Sequence, residues 1–489
     1  MVIVIGSGFA GLSAASLLAE RGREVLVLDA RPRLGGRATA FEDRETGELV
    51  DNGQHVMFGC YRETLAFLKR IGADGNVQTQ PTLEIPFIGR DGRRSLLRCP
   101  AWLPAPLHLL AGILGWDGLP LLDRLSALRL APAIARYAPD VNAPDLKVGP
   151  TGDRDQPFVG PTLRSGATRP RDTRTVAQWL RAHGQSERLI TALWEPLAVA
   201  ALNQPIDQAA AAPFARVLAE MFGRDRTAAS IVLPARPLHE MYAEPARIFI
   251  ERHGGNVRTN ALARIVADDA GVTAVEVRGE RIPATAVIAA VPWHALTGLF
   301  ATAPHGPGRL TELPPAFAAT IANASAMASM PIVTVNLWYD RVVMDETFVG
   351  LTGRTVQWVF DKRRIFGEAS SHLSLVVSAA EAVAPLTREE LVAIAVRDVT
   401  EALPAARQAT LVRASVVREK QATFSLSPGQ PDRPRNRTAV RGLMLAGDWT
   451  DTGLPGTIES AARSGHLAAL EILARLPASA KATAGPPKL

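Results

Sequence analysis

Cysteine is almost missing from this 489-residue chain, which has only Cys60 and Cys99. Two thiols at that spacing match no zinc or iron–sulfur pattern, and they point to free thiols in a reducing compartment. Blocks of like charge are missing too. Fifty-four Lys and Arg against 48 Asp and Glu leave +6, and no run of five or more basic residues marks a nucleic-acid tract. The nine histidines are scattered, so no metal site is expected, and no Ser/His/Asp set stands out. The opening MVIVIGSGFAG lacks a basic stretch and its apolar run breaks at Gly6. No signal peptide is expected, and the cytoplasm is the expected location. A bilayer span is missing as well. Cys99 to Trp116 runs for 18 residues without Asp, Glu, Lys or Arg, but Pro100, Pro104 and Pro106 crowd its first half and Gly112 and Gly115 interrupt the second. An interfacial or channel segment is expected there instead of a spanning helix.

What is present is an ordered globular composition, 47% apolar and 21% charged, long enough for two or three domains. Val2 to Ile5 is a β-branched run, Gly6-Ser-Gly8-Phe9-Ala10-Gly11 turns, and Leu12, Ala15, Leu18 and Ala19 recur at helical spacing. After Gly22, Glu24 to Leu28 is a second strand, completing a βαβ unit. A glycine fingerprint between strand and helix is the context dinucleotide binding requires. Gly6 permits the turn, Gly8 lets the backbone approach a pyrophosphate, and Gly11 lets the helix pack closely. The free N–H groups around Phe9 and Ala10 face the phosphates. Asp29, ending the second strand with Ala30 beside it, is placed for ribose hydroxyls.

The next residues, Arg31 to Arg37, read RPRLGGR and resemble the second motif of the flavin amine-oxidase and phytoene-desaturase superfamily. That resemblance implies non-covalent FAD, with Gly35, Gly36 and Arg37 along the pyrophosphate and flavin and Arg31 near the adenine ribose. Leu445-Ala-Gly447-Asp448-Trp-Thr and Gly453-Leu-Pro-Gly456-Thr457-Ile458-Glu459 resemble the superfamily's last FAD motif. A helix starting near Thr457 would aim its N–H groups at the flavin edge where negative charge gathers on reduction. Ala263, in a segment similar to the adenine-side strands, is expected to touch adenine through its backbone.

Asp51-Asn-Gly-Gln-His55 and Arg418-Glu-Lys-Gln-Ala-Thr-Phe424 narrow the resemblance to the squalene-associated FAD-dependent desaturases, the hydroxysqualene dehydroxylases of hopanoid biosynthesis among them. It covers residues 1–138 and about 173–476, with Gln421 standing where the pattern has a basic residue. The implied reaction is reductive: the substrate's allylic hydroxyl leaves as water and reduced flavin supplies the hydride to the carbocation. On residue type, His55 is the candidate proton donor and Lys420 the candidate to hold a water near the flavin. The tract Pro100 to Leu130 is the expected entry for a long polyprenoid, with Trp102, Leu103, Leu107, Leu109, Leu110, Ile113, Leu114 and Trp116 expected to dip into a leaflet and Arg98, Arg124 and Arg129 near lipid phosphates, a peripheral membrane contact. No second nucleotide fingerprint names the electron donor.

Three other readings compete. A carotenoid desaturase would use the same fold in the oxidising direction. An amine oxidase is disfavoured by four tyrosines, too few for an aromatic amine cage, and by the apolar tract. A non-catalytic prenyl-lipid carrier would fail to hold reducible flavin. The expected architecture is α/β: a discontinuous Rossmann-type FAD domain from residues 1–75, 225–295 and 410–476, with an inserted α+β substrate domain from 76–224 and 296–409. The apolar segment is set at 99–138, a flexible insertion at 142–172, and a disordered tail at 477–489.

Overall fold

The computed structural model describes residues 1–43, 47–138, 173–223, 225–268, 270–300 and 315–475. The expected insertion 142–172 and tail 477–489 lie outside them. Two sheets organise the chain. The first is parallel, with strand order Asn256–Arg258, Val25–Leu28 (β2), Val2–Ile5 (β1), Ala286–Ala289 and Leu443–Leu445. Every one of these pairings is parallel. The order places β1 at the centre with strands drawn from three distant stretches of chain beside it. Such strands are covered on both faces, and β1, β2 and Ala286–Ala289 are buried at every residue.

The helix after β1, Phe9–Glu20 (α1), is rich in Ala and Ser and buried on all sides except its last residue. Small side chains allow this. The C-terminal helix Ile458–Arg475 crosses α1 so closely that a Cβ on Gly465 would lie 2.0 Å from the Ala10 carbonyl oxygen. The two ends of the chain thus form one layer over the parallel sheet.

The second sheet has seven strands, in the order Leu411–Phe424, Ser329–Tyr339, Ser371–Val377, Trp358–Asp361, Phe348–Leu351, Glu84–Ile88 and Arg94–Arg98. Leu411–Phe424 pairs along Ser329–Tyr339. The expected start of the last cofactor-domain segment at 410 is therefore too early, since those residues extend the second sheet before the chain returns to the first. A 14-residue amphipathic strand with the REKQATF motif at its end carries no periodicity that says which sheet it joins. Helices between Leu107 and Ala135 and between Val176 and Met221 cover one face of this sheet. Thr175 and Gln178 form a capping box at the start of Val176–Ala182. Among the described residues, no helix is long and apolar enough to cross a membrane.

Candidate active site

The loop after β1 meets the RPRLGGR loop face to face. A Cβ on Gly36 would sit 3.2 Å from the Cα of Gly8, and one on Gly8 would find Gly36 Cα at 4.0 Å. Gly6, at φ +108°, would drive a Cβ to 2.3 Å from the Ala290 carbonyl oxygen, a position only glycine fills. The first turn of α1 begins at Gly8 with no side-chain cap, so its N–H groups stay open to an anion. Asp29 is buried at the end of β2 and accepts from the Ser7 backbone N–H at 2.8 Å, from the Ser7 hydroxyl, and from the Arg31 N–H at 2.8 Å. Ala30 and Arg31 are exposed beside it. Ala261 N–H reaches the Asp29 carbonyl at 2.7 Å, which brings the strand beginning at Ala263 against the same edge. A cradle without side chains, an open helix N-terminus and a carboxylate at the next strand end fit a dinucleotide.

Phe9 faces inward: its ring stacks on Tyr242 at 3.7 Å. Tyr242, fully buried, donates to the carbonyls of Gly35 at 2.7 Å and Ala38 at 3.0 Å. One phenol thereby fixes the glycine pair and the fingerprint helix together. No local signal in the sequence marks it, because Tyr242 lies about 200 residues away from Gly35.

Arg37 joins three parts of the chain. Its guanidinium pairs with Asp448, donates to the Ala422 carbonyl at 2.6 Å, and lies 5.5 Å above the Trp293 ring. Asp448 is buried in the turn after Leu443–Leu445. Gly456 is so close to that carboxylate that its Cβ would lie 3.4 Å from Asp448 Oδ2. Thr457 Oγ1 accepts from Ser460 N at 3.1 Å, capping the helix that begins at Ile458. Gly447, at φ +151°, donates its N–H to Ser464 at 2.8 Å.

Glu459 is buried at the start of the same helix and accepts from the N–H groups of Glu63 at 3.0 Å and Thr64 at 2.9 Å and from the Thr64 hydroxyl at 2.8 Å. It caps the helix Arg62–Arg70 (α2). Burial pushes its carboxyl up to about 7, against these hydrogen bonds.

Below this region lies an apolar cavity of about 160 Å³ between the seven-stranded sheet and its helices. Phe87, Phe348, Trp358 and Phe360 line one wall, and Leu109, Ile113, Trp194 and Leu197 the other. Polar lining is confined to Gln54, Tyr61, Ser378 and the Cys99 thiol.

The two expected proton-handling residues fare differently. His55 is half-buried and its Nδ1 donates to the Gly53 carbonyl at 2.8 Å. Burial lowers its pKa, the Lys362 and Arg37 charges add to this, and Asp51 opposes it. The Gly53 hydrogen bond opposes the lowering as well, and at neutral pH the imidazole is uncharged, with its Nδ1 hydrogen held by Gly53. Lys420 is exposed and takes no part in lining the cavity. Strand alternation turns it away, while the adjacent Glu419 reaches Asn52 at 3.1 Å. The lysine beside the site is Lys362, from the turn after Trp358–Asp361. It is buried against Asp51 at 2.8 Å and Gln54 at 2.7 Å.

The apolar tract also divides. Leu109, Ile113 and Trp116 are buried, while Trp102 is 79% and Leu122 82% exposed, with Leu107, Leu121, Leu125 and Leu128 around them. The expectation that Leu109, Ile113 and Trp116 face a leaflet is corrected: they serve the cavity and core. Arg98 pairs with Glu84 at 2.7 Å, and Arg124 caps the Leu114 carbonyl. Of the three expected phosphate-facing arginines, these two have protein partners. Away from the cavity, Glu48, Glu368 and His372 gather closely enough to surround a cation. They are already bonded to Trp338, Ser370 and Asn336.

The class of protein follows from these features together with comparison. The family model for flavin containing amine oxidoreductases matches residues 9–473, and the chain belongs to that family. It is an oxidoreductase with a flavin cofactor. Within the family, the chain is 27% identical over 479 residues to a hydroxysqualene dehydroxylase of Sinorhizobium fredii, covering 96% of this chain and 97% of the relative. A zeta-carotene desaturase of Zea mays is 25% identical over 504 residues, covering 95% and 82%. The solved cyclohexylamine oxidase of Brevibacterium oxydans superposes with a TM-score of 0.65 at 18% identity, covering 96% and 98%.

Proposed function

We propose that this protein binds FAD non-covalently and uses its reduced form to convert hydroxysqualene to squalene. The observation that carries the reading is the apolar cavity lined by Gln54, on the loop tied to Arg37, and by Tyr61, hydrogen-bonded to Thr457. It suits a long hydrocarbon with one polar group better than a small amine. Full-length similarity to hydroxysqualene dehydroxylases supports the same substrate class.

The loops of Gly6–Gly11 and Gly35–Arg37 would hold the pyrophosphate, Asp29 the ribose, and Asp448 with Gly456, Thr457 and Ile458 the ribityl and ring edge. Arg37 supplies the positive charge between them. When bound, reduced flavin supplies the hydride. The substrate's C–O bond would break as its oxygen takes a proton from solvent and departs as water, and a C–H bond would form at that carbon with the hydride, whose two electrons a bound reduced flavin would supply. The residues of this chain exclude water through the apolar walls and hold the hydroxyl end near Gln54 and Tyr61. Burial pushes the Tyr61 phenol up, so it remains a neutral hydroxyl. His55, neutral, is placed to accept a hydrogen bond. The exposed Trp102, Leu107, Leu121 and Leu122, on the tract whose Leu109 and Ile113 line the cavity, are assigned to the membrane leaflet from which the polyprenoid enters.

The test supplies purified protein, FAD and a chemical reductant with hydroxysqualene and follows products by mass spectrometry. Squalene formation dependent on protein and reductant is expected. Absence of squalene together with desaturation of phytoene by the oxidised protein would replace this reading with a carotenoid desaturase.

A further inference from the structure

The buried ion pair beside the cavity determines how one amide is turned. Lys362 Nζ lies 2.8 Å from Asp51 Oδ2 and 2.7 Å from Gln54 Oε1, and Phe366 closes over it at 4.0 Å. The Lys362 and Asp51 side chains are 1% and 3% exposed. Asp51 is fixed in turn by the Leu238 N–H at 3.0 Å on its other oxygen. An ammonium group has donors only, so it admits the oxygen of Gln54 and excludes the NH₂. The NH₂ must then turn the other way. One of its N–H groups meets the His55 carbonyl at 3.2 Å, and the second remains for the cavity that Gln54 lines.

Gln54 stands at the cofactor end of that cavity. Its neighbour Asn52 donates to the Arg37 carbonyl at 3.0 Å, so the loop is tied to the flavin motif. The wall at Leu97, Leu109 and Ile113 is hydrocarbon apart from the Cys99 thiol beside Gly112. A long alcohol entering from there meets a directed N–H donor only where the flavin reacts.

We propose that Gln54 is the hydroxyl-recognition residue of the cavity, its N–H aimed by the Lys362–Asp51 pair at the oxygen that leaves. It thereby selects a polyprenoid alcohol over the corresponding hydrocarbon. This rests on the dehydroxylation reading for the substrate class and adds the group that reads the hydroxyl. Lys362 is a positioning residue: it acts through the amide and touches no substrate. A donor to the departing oxygen binds it more strongly as negative charge gathers there, before protonation is complete. The hydrocarbon product offers no acceptor, which favours its release.

The experiment compares binding of hydroxysqualene and squalene to the flavin-loaded protein in detergent, read by quenching of the cavity tryptophans Trp194 and Trp358. Wild type is expected to prefer the alcohol by about tenfold, the worth of one directed hydrogen bond in an apolar site. Gln54→Met keeps the volume and is expected to remove that preference while leaving squalene binding within about twofold. The double variant Lys362→Met/Asp51→Asn removes the pair without stranding a charge, lets the amide turn, and is expected to reduce the preference as well. Equal binding of the two ligands by wild type, which needs no folded variant, overturns the proposal. So does a Gln54→Met protein that keeps the preference. Turnover is scored apart: an alcohol-selective wild type that forms no squalene leaves Gln54 in place and removes the dehydroxylation reading.

Discussion

Arg37 is the residue on which the distant parts of the site converge, through Asp448, Ala422 and Trp293. Replacing it with Ala removes a charge-assisted bond, worth about 1.5–3 kcal/mol, and leaves Asp448 unpaired. Arg37→Ala is expected to bind FAD at least about tenfold more weakly, read as flavin-to-protein absorbance after gel filtration. Glu459 gives a pH-dependent prediction. Its folded carboxyl is raised to about 7 from an ordinary 4.5, so between those values the folded protein holds a proton the unfolded chain has lost. Stability from this group is present below 4.5 and is lost as pH rises through 7, with a slope approaching about 1.4 kcal/mol per pH unit. Glu459→Gln is expected to flatten that slope in urea unfolding between pH 5 and 8. An identical slope in the variant would assign the pH dependence elsewhere.

Among the elements, the fingerprint helix α1 and the glycine pair at Gly35 and Gly36 are coupled by Tyr242 and not only by the flavin. Tyr242→Phe keeps the stack on Phe9 and removes the one hydroxyl proton that the Gly35 and Ala38 carbonyls share. A loss of about 1–2 kcal/mol in unfolding free energy is expected, with weaker flavin retention but an unchanged cavity. These elements differ in how far the sequence revealed them. The βαβ unit was legible because glycine spacing, a β-branched run and Asp29 are local signals in one stretch of chain. The closing strand Leu443–Leu445 was legible because its turn carries Gly447 and Asp448. Tyr242 and Lys362 were not, since each acts through contacts across more than 200 residues. Lys420 lies within the REKQATF motif, but a strand turns adjacent residues to opposite faces, and Glu419 takes the inward one.

Across the molecule, the chain's two ends build the cofactor layer while its middle builds an apolar chamber, and the tract that lines it with Leu109 and Ile113 also carries exposed apolar side chains. The sequence located that surface as a stretch but could not say which of its side chains turn inward, because Pro and Gly interrupt the helical period from Pro100 to Gly118. The pair Trp102→Ala and Leu122→Glu is expected to abolish flotation with anionic phospholipid vesicles while keeping flavin content. Flotation equal to wild type would remove the membrane assignment without touching the chemistry. The chemistry is tested most directly by a single turnover under anaerobic conditions. Protein carrying reduced FAD, freed of excess reductant, is mixed with hydroxysqualene while flavin absorbance and products are followed. The account predicts one squalene formed for each flavin reoxidised. Flavin that stays reduced, with hydroxysqualene recovered intact, would contradict it.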